Sequence, residues 1–226
     1  MRAVALSERA AMKNGHFVVL EGIDGSGTTT QVARLAARLR AENLQVRSTR
    51  EPSDGPVGAL LRQILTGRVV VGDGRPPGWA TMALLFAADR MDHGESEIEP
   101  FVASGGVVVS DRYDASSLAY QSASSEKAGR DARESIAWIR ALNSFARRPD
   151  LVIVLDLPAD VAAQRRATRG DPAQLYEVSE LQRTLAQFYR DLASHMPSDP
   201  VVVIDGTGTV EEVHARVWAC AERLFL

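Results

Sequence analysis

Runs of apolar residues alternate along this chain with segments whose apolar positions recur every three or four residues. The first run, His16 to Glu21, is apolar and β-branched, the pattern of a strand buried on both faces. After a glycine-rich break, Val32, Leu35, Ala36 and Leu39 fall at i, i+3, i+4 and i+7 and predict a helix. A short strand is expected over Leu44 to Ser48, then a polar loop from Thr49 to Pro56. Val57, Leu60, Leu61 and Ile64 predict a second helix, and Gly67 to Gly78 a turn-rich connection. A third helix opens near Trp79, runs through Met82, Leu85, Phe86 and Arg90, and is expected to bend near Gly94. The strand Gly106 to Ser110 ends in Asp111-Arg112-Tyr113. A helix over Asp131 to Ala146 presents Ile136, Ile139, Leu142 and Phe145, and Leu151 to Asp156 reads as a fourth strand. Pro158 starts a helix that meets an arginine-rich hinge, Arg165 to Pro172. Leu181, Leu185, Phe188 and Leu192 mark another helix, Val201 to Ile204 a fifth strand, and Val210, Val213, Val217 and Leu224 the last helix. Strand and helix alternate, so the fold expected is α/β: a doubly wound parallel sheet of about five strands with helices on both faces.

The break after the first strand carries chemistry. Gly22 and Gly27 stand five apart, with Ile23, Asp24, Gly25 and Ser26 between them and Thr28, Thr29 and Thr30 after. This is the frame of a phosphate-binding P-loop, except that threonine occupies the lysine position at Thr28. Glycines let the backbone curl so that N–H groups face an anion, and the following helix adds its positive end. Thr29 offers a hydroxyl to Mg²⁺. The alternative is a glycine-rich turn that only joins a strand to a helix.

Composition narrows the setting. The chain has 226 residues and a formal charge of −3, which suits one α/β domain and argues against a nucleic-acid binder, which would carry a basic face. The expected organisation is a lead-in over 1–15 and a single domain over 16–226, with a lid at about 163–174. One cysteine, Cys220, permits no internal disulfide and suggests an intracellular, cytoplasmic protein. No apolar run reaches a membrane span, the first residues lack the apolar core of a signal peptide, and the four histidines show no zinc spacing. Lysine occurs only at Lys13 and Lys127. A cation that replaces the missing P-loop lysine is therefore expected to be arginine.

Other candidates cluster at strand ends. Asp111 can hold Mg²⁺ through water and Arg112 can clamp a phosphate, or the two can be a strand-end ion pair. Arg50 follows the second strand, at the edge where open α/β sheets bind ligands, and can clamp a second phosphate or lie in solvent. Phe86 and Arg90, four apart on one helix, can stack on a base and bond its edge, or be a core ring and a surface charge. Arg165, Arg166 and Arg169 can be a solvated face or a mobile lid over a phosphoryl group.

Together these residues resemble a known family. Glu21-Gly22-Ile23-Asp24-Gly25-Ser26-Gly27, Thr49-Arg50-Glu51-Pro52, Leu84-Leu85-Phe86-Ala87-Ala88-Asp89-Arg90 and Asp111-Arg112-Tyr113-Asp114-Ala115-Ser116-Ser117-Leu118-Ala119-Tyr120-Gln121 come in the order found in thymidylate kinases. Pro149-Asp150-Leu151 and the arginine lid continue the match. The resemblance implies transfer of the γ-phosphoryl of ATP to dTMP with Mg²⁺, in a homodimer. It implies that Asp24 holds the sugar 3′-hydroxyl, that Arg50 and Arg112 bind the dTMP phosphate, and that Phe86 stacks on thymine while Arg90 donates to O4. Ser117, Tyr120 and Gln121 then form the wall that reads the base edge, and Arg165, Arg166 and Arg169 approach the ATP phosphates. Thr28, Ser53-Asp54-Gly55 and Ser122-Ala123-Ser124 depart from the family pattern. Two other functions stay open: a P-loop protein that binds nucleotides with weak or no transfer, and a kinase for another nucleoside monophosphate.

Overall fold

A computed structural model describes residues 15–169 and 179–225. The lead-in before residue 15 and the part of the lid from Gly170 onward lie outside the described residues, as does the Arg169 side chain.

Chain order is β1 (His16–Gly22), α1 (Thr28–Ala41), β2 (Val46–Arg50), α2 (Pro56–Leu65), α3 (Trp79–His93), a π-turn over Gly94–Ile98, α4 (Glu99–Ala103), β3 (Val107–Asp111) and α5 (Asp114–Lys127). It continues with α6 (Ala132–Leu142), β4 (Leu151–Asp156), α7 (Ala159–Arg169), α8 (Ser179–Arg190), α9 (Leu192–His195), β5 (Val201–Asp205) and α10 (Val210–Ala221). The strands form a five-stranded sheet in the order β2-β3-β1-β4-β5, and every pairing is parallel.

The periodicity of two in the central strands divides the core. Phe17, Val19, Val108, Val152 and Val154 face one side and pack with Tyr113, Leu118, Ile139 and Leu185. Val18, Leu20, Val107, Val109, Ile153 and Leu155 face the other and pack with Val32, Leu35, Leu39, Val213 and Val217. Helices α5, α6 and α8 thus cover one face and α1 and α10 the other, the doubly wound arrangement expected. β1 lies between β3 and β4, so the ends of the three central strands meet where Gly22 begins the glycine loop.

Several expectations move. The second strand is Val46–Arg50, two residues later than expected, so Thr49 and Arg50 belong to the sheet. Its sequence, VRSTR, is polar because it is an edge strand, and its position is set by the ladder to β3, with Val46 opposite Val107 and Arg50 opposite Asp111. Residues Arg165 to Arg169 continue α7 rather than forming a hinge. The helix expected over Asp131 to Ala146 ends at Leu142, and Phe145 beyond it is 91% exposed instead of packed. α5 has no counterpart in the periodicity: Ser117, Gln121, Ser122 and Ser125 are buried on it beside Leu118 and Ala119, so its inward face mixes polar and apolar residues. At Gly94 the chain stays helical through the π-turn into α4.

Candidate active site

The glycine loop closes on itself and on α7. Gly27 caps α1 at φ 99°, a conformation that side chains disfavour although nothing crowds its Cβ position. Gly25, at φ 93°, differs in also having no room: a Cβ would lie 2.6 Å from the Ala162 carbonyl and 3.1 Å from Arg166 Cγ. That contact lets α7 approach the loop. Arg166 Nη1 donates to the Asp24 carbonyl, Arg165 Nη1 donates to Ser26 O at 3.3 Å, and Arg112 Nη1 donates to Gly22 O at 2.9 Å. Three guanidiniums therefore sit on alternate carbonyls of a loop whose Thr28 carries no charge. Ile23 is in the core, and Thr30 is exposed on the first turn of α1. Thr29 Oγ1 donates to Asp111 Oδ2 at 2.5 Å, while Asp111 Oδ1 is buried with no partner among the described residues. A hydroxyl and a half-used carboxylate are hard oxygen donors that fit Mg²⁺, which takes few protein ligands beside phosphate and water.

Arg112 holds φ 76°, a strained conformation for a residue with a side chain. Its backbone N–H bonds Leu20 O at 2.9 Å, and its Nη2 pairs with Asp24 Oδ1 at 2.7 Å. Burial opposes the cation, but the acidic groups around it, Tyr120 and Asp24 foremost, hold its pKa well above the ordinary range. Behind it, the fully buried Glu21 accepts from the Tyr113 N–H at 2.8 Å, the Ser116 hydroxyl at 2.7 Å and the Tyr189 hydroxyl at 3.0 Å. Burial pushes the Glu21 carboxyl up to about 7 against the pull of Arg112 and these bonds.

A cavity of about 200 Å³ opens beside the loop, lined by Asp24, Glu51, Pro52, Leu65, Phe86, Arg90, Arg112, Tyr113, Ser116, Ser117, Tyr120 and Gln121. The structure thus brings together seven of the eight residues read from the sequence as an acceptor site. Arg50 is the exception: it is exposed, pairs with Asp54 at 2.8 Å and does not line the cavity. Arg90 is no surface charge. It is buried, with Nη2 on Glu51 Oε2 at 2.5 Å and Nη1 on Asn143 Oδ1 at 2.6 Å. Gln182, absent from the sequence reading, accepts from the Asp24 N–H at 3.2 Å and donates to Asp24 Oδ2 at 2.9 Å. Only the motif Glu-Pro after Arg50 signalled Glu51; nothing local marked Gln182, Asn143 or Tyr189, which reach the site from distant elements. A second cavity, about 480 Å³, lies between α5, α6 and the α9–β5 connection, away from the glycine loop. Arg148 there is matched by Asp114 at 2.5 Å and Asp199 at 2.6 Å.

The model of the family described as thymidylate kinase matches residues 20–217 of this sequence. The chain belongs to the thymidylate kinase family. A protein of Pyrococcus horikoshii named "Probable thymidylate kinase" is 39% identical over 212 residues, covering 94% of this chain and 98% of its own. A Rhodopseudomonas palustris protein named "Thymidylate kinase" is 32% identical over 222 residues, covering 96% of this chain and 92% of its own. The solved thymidylate kinase of Candida albicans superposes with a TM-score of 0.77 at 23% identity, over 93% of this chain and 92% of that one, and so shares the fold. Thymidylate kinases are phosphotransferases, and the glycine loop, the strand-end Asp111-Arg112 and the adjoining cavity are the parts of this member suited to that chemistry.

Proposed function

We propose that this chain transfers the γ-phosphoryl group of ATP to the phosphate of dTMP, giving ADP and dTDP. The observation that carries the acceptor is a pair of orphaned atoms. Arg90 Nε and Gln121 Oε1 are both buried without a partner among the described residues, and both belong to the cavity wall that includes Phe86. A buried donor or acceptor left unmatched costs about 1–3 kcal/mol, so such a pair favours a ligand that completes it. A 4-oxo pyrimidine offers a carbonyl to Arg90 and an N3–H to Gln121; cytosine offers the reverse at both atoms. Phe86 supplies the stacking face, Asp24 receives the sugar hydroxyl, and Ser117 and Tyr120 close the wall.

The acceptor phosphate is already anionic, so the protein's task is positioning and charge stabilisation rather than strong general-base catalysis. Arg112 holds it, and the turned backbone of Gly22 to Thr30 cradles the ATP phosphates. Thr29 and Asp111 would hold Mg²⁺, which would supply neutralisation of the charge on the ATP phosphates. Arg165 and Arg166, already on the loop carbonyls, supply with Arg169 the cation that Thr28 does not. The protein works as a cytoplasmic homodimer, with Cys220 reduced. A coupled ATP-consumption assay against dTMP, dUMP, dCMP, dGMP and AMP tests the reading. Turnover is expected with dTMP and, of the others, most with dUMP; preference for dCMP or a purine nucleotide would overturn the base assignment.

A further inference from the structure

All four terminal N–H groups of Arg90 are committed: Nη1 to Asn143 Oδ1 and to Ser117 Oγ, Nη2 to Glu51 Oε2 and to Tyr113 O. Only its Nε–H is left for a ligand. Of the four acceptors, Glu51 alone is charged, so its carboxylate has the strongest hold on the guanidinium plane. The second oxygen of Glu51, Oε1, lies 3.4 Å from Nδ1 of His93 on α3. A carboxylate only accepts, so His93 Nδ1 carries the proton. On its other side, His93 Nε2 lies 2.8 Å from Thr49 Oγ1 and 3.7 Å from Glu97 Oε2. The ring is 1% exposed and wedged among these three side chains. One turn earlier, Asp89 accepts from the Ser53 N–H at 2.8 Å and the Ser53 hydroxyl at 2.6 Å. α3 therefore grips the Glu51–Ser53 segment twice.

We propose that His93 is a positioning residue for base recognition. Its Nδ1–H fixes the Glu51 carboxylate, which sets the plane of Arg90 and hence the direction of the one N–H offered to the base. This rests on reading the cavity as a thymine site. The alternative, that His93 only fills space, makes a different prediction for two isosteres. His93→Asn keeps an amide N–H near Nδ1, toward Glu51; His93→Gln keeps one near Nε2, toward Thr49. The Arg90 Nε–H resonance of the ligand-free protein, assigned by its loss in Arg90→Lys, should move and exchange faster with solvent in His93→Gln, and hold in His93→Asn. In dTMP kinetics, His93→Gln should raise KM roughly tenfold with kcat within about twofold, and lower the preference for dTMP over dCMP; His93→Asn should stay near the parent. Glu51→Gln should reproduce the His93→Gln pattern and serves if the histidine variants do not fold. Equal behaviour of the two isosteres, or an unmoved Arg90 resonance, would overturn the proposal. If the parent neither binds nor phosphorylates dTMP, the reading of the cavity fails, while the resonance still decides whether His93 orients Arg90.

Discussion

A threonine at position 28 leaves the glycine loop one cation short, and the arginines that reach it come from the ends of β3 and from α7. Losing one preorganised donor to developing charge costs about 2.7–4 kcal/mol, or roughly 10²–10³ in rate. Arg165 and Arg166 are close enough to offset it, since each already bonds a loop carbonyl. Arg166→Ala is therefore expected to lower kcat more than it changes the dTMP KM. Thr28→Lys should restore rate in that variant more than it raises the rate of the parent, because two groups acting on one charge are non-additive. Steady-state kinetics of the four proteins decide this; strict additivity would sink the compensation. Phe86 belongs to the proposed acceptor cavity instead. It packs beside Leu61, Ile64 and Met82 and also lines the cavity, where the proposed base would stack. Phe86→Ala should weaken dTMP binding by about 1–3 kcal/mol, read by calorimetric titration, with the ATP affinity unchanged.

Elements whose inward face is apolar were legible; those that bury polar groups were not. β1, β3 and β4 announce themselves as continuous apolar runs because both faces of the sheet are covered. α5 does not, because Ser117, Gln121 and Ser122 interrupt its inward Leu118 and Ala119, with Ser122 bonded to the helix's own backbone. The same holds for the candidate site. Residues on the strand-end motifs, Asp24 and Arg112 among them, could be read directly, whereas Arg90 changes from a surface charge to a buried one only when Glu51, Ser117 and Asn143 converge on it. Glu21 shows how far such burial goes. It caps α5 from the end of β1, taking the N–H groups of Tyr113 and Ser116 at 2.8 and 3.2 Å. Its pKa is raised from 4.5 to about 7, so the folded state binds the proton more tightly than the unfolded chain. Stability owed to this group is thus present in full at acid pH and lost as pH climbs from about 4.5 through 7, a loss on the order of 3 kcal/mol. Glu21→Gln has no such titration. Urea unfolding of both proteins between pH 5 and 8 should show the variant gaining on the parent as pH rises and levelling off above 7; a constant difference would mean that Glu21 is not shifted.

At the scale of the whole molecule, four of the eight large apolar side chains left in solvent among the described residues share one stretch of chain, the others being Phe145, Val202, Val203 and Val210. Leu60 on α2, Val70 and Val71 on the connection after it, and Leu84 on α3 are each at least 38% exposed. They fall within one stretch of chain whose inner faces carry Leu65, Phe86 and Arg90 into the cavity. Scattered apolar residues need no explanation, but four in one helical hairpin suit a contact with a second copy of the chain, since the same surface on two copies is self-complementary. A stable contact of this kind buries about 1,600 Å² in total, enough to include both helices. The proposed homodimer therefore rests on α2 and α3, and it has a kinetic consequence. Those helices line the proposed acceptor cavity, so docking them against a partner should narrow the conformations that Phe86 and Arg90 sample before dTMP binds. Leu84→Glu places a charge on the contact without touching the cavity. It should convert a dimer in sedimentation velocity to a monomer and raise the dTMP KM severalfold, with the ATP KM little changed. A parent protein that sediments as a monomer at micromolar concentration would remove α2 and α3 as the interface. A dissociated variant with unaltered dTMP kinetics would instead keep the interface and discard its link to the acceptor site.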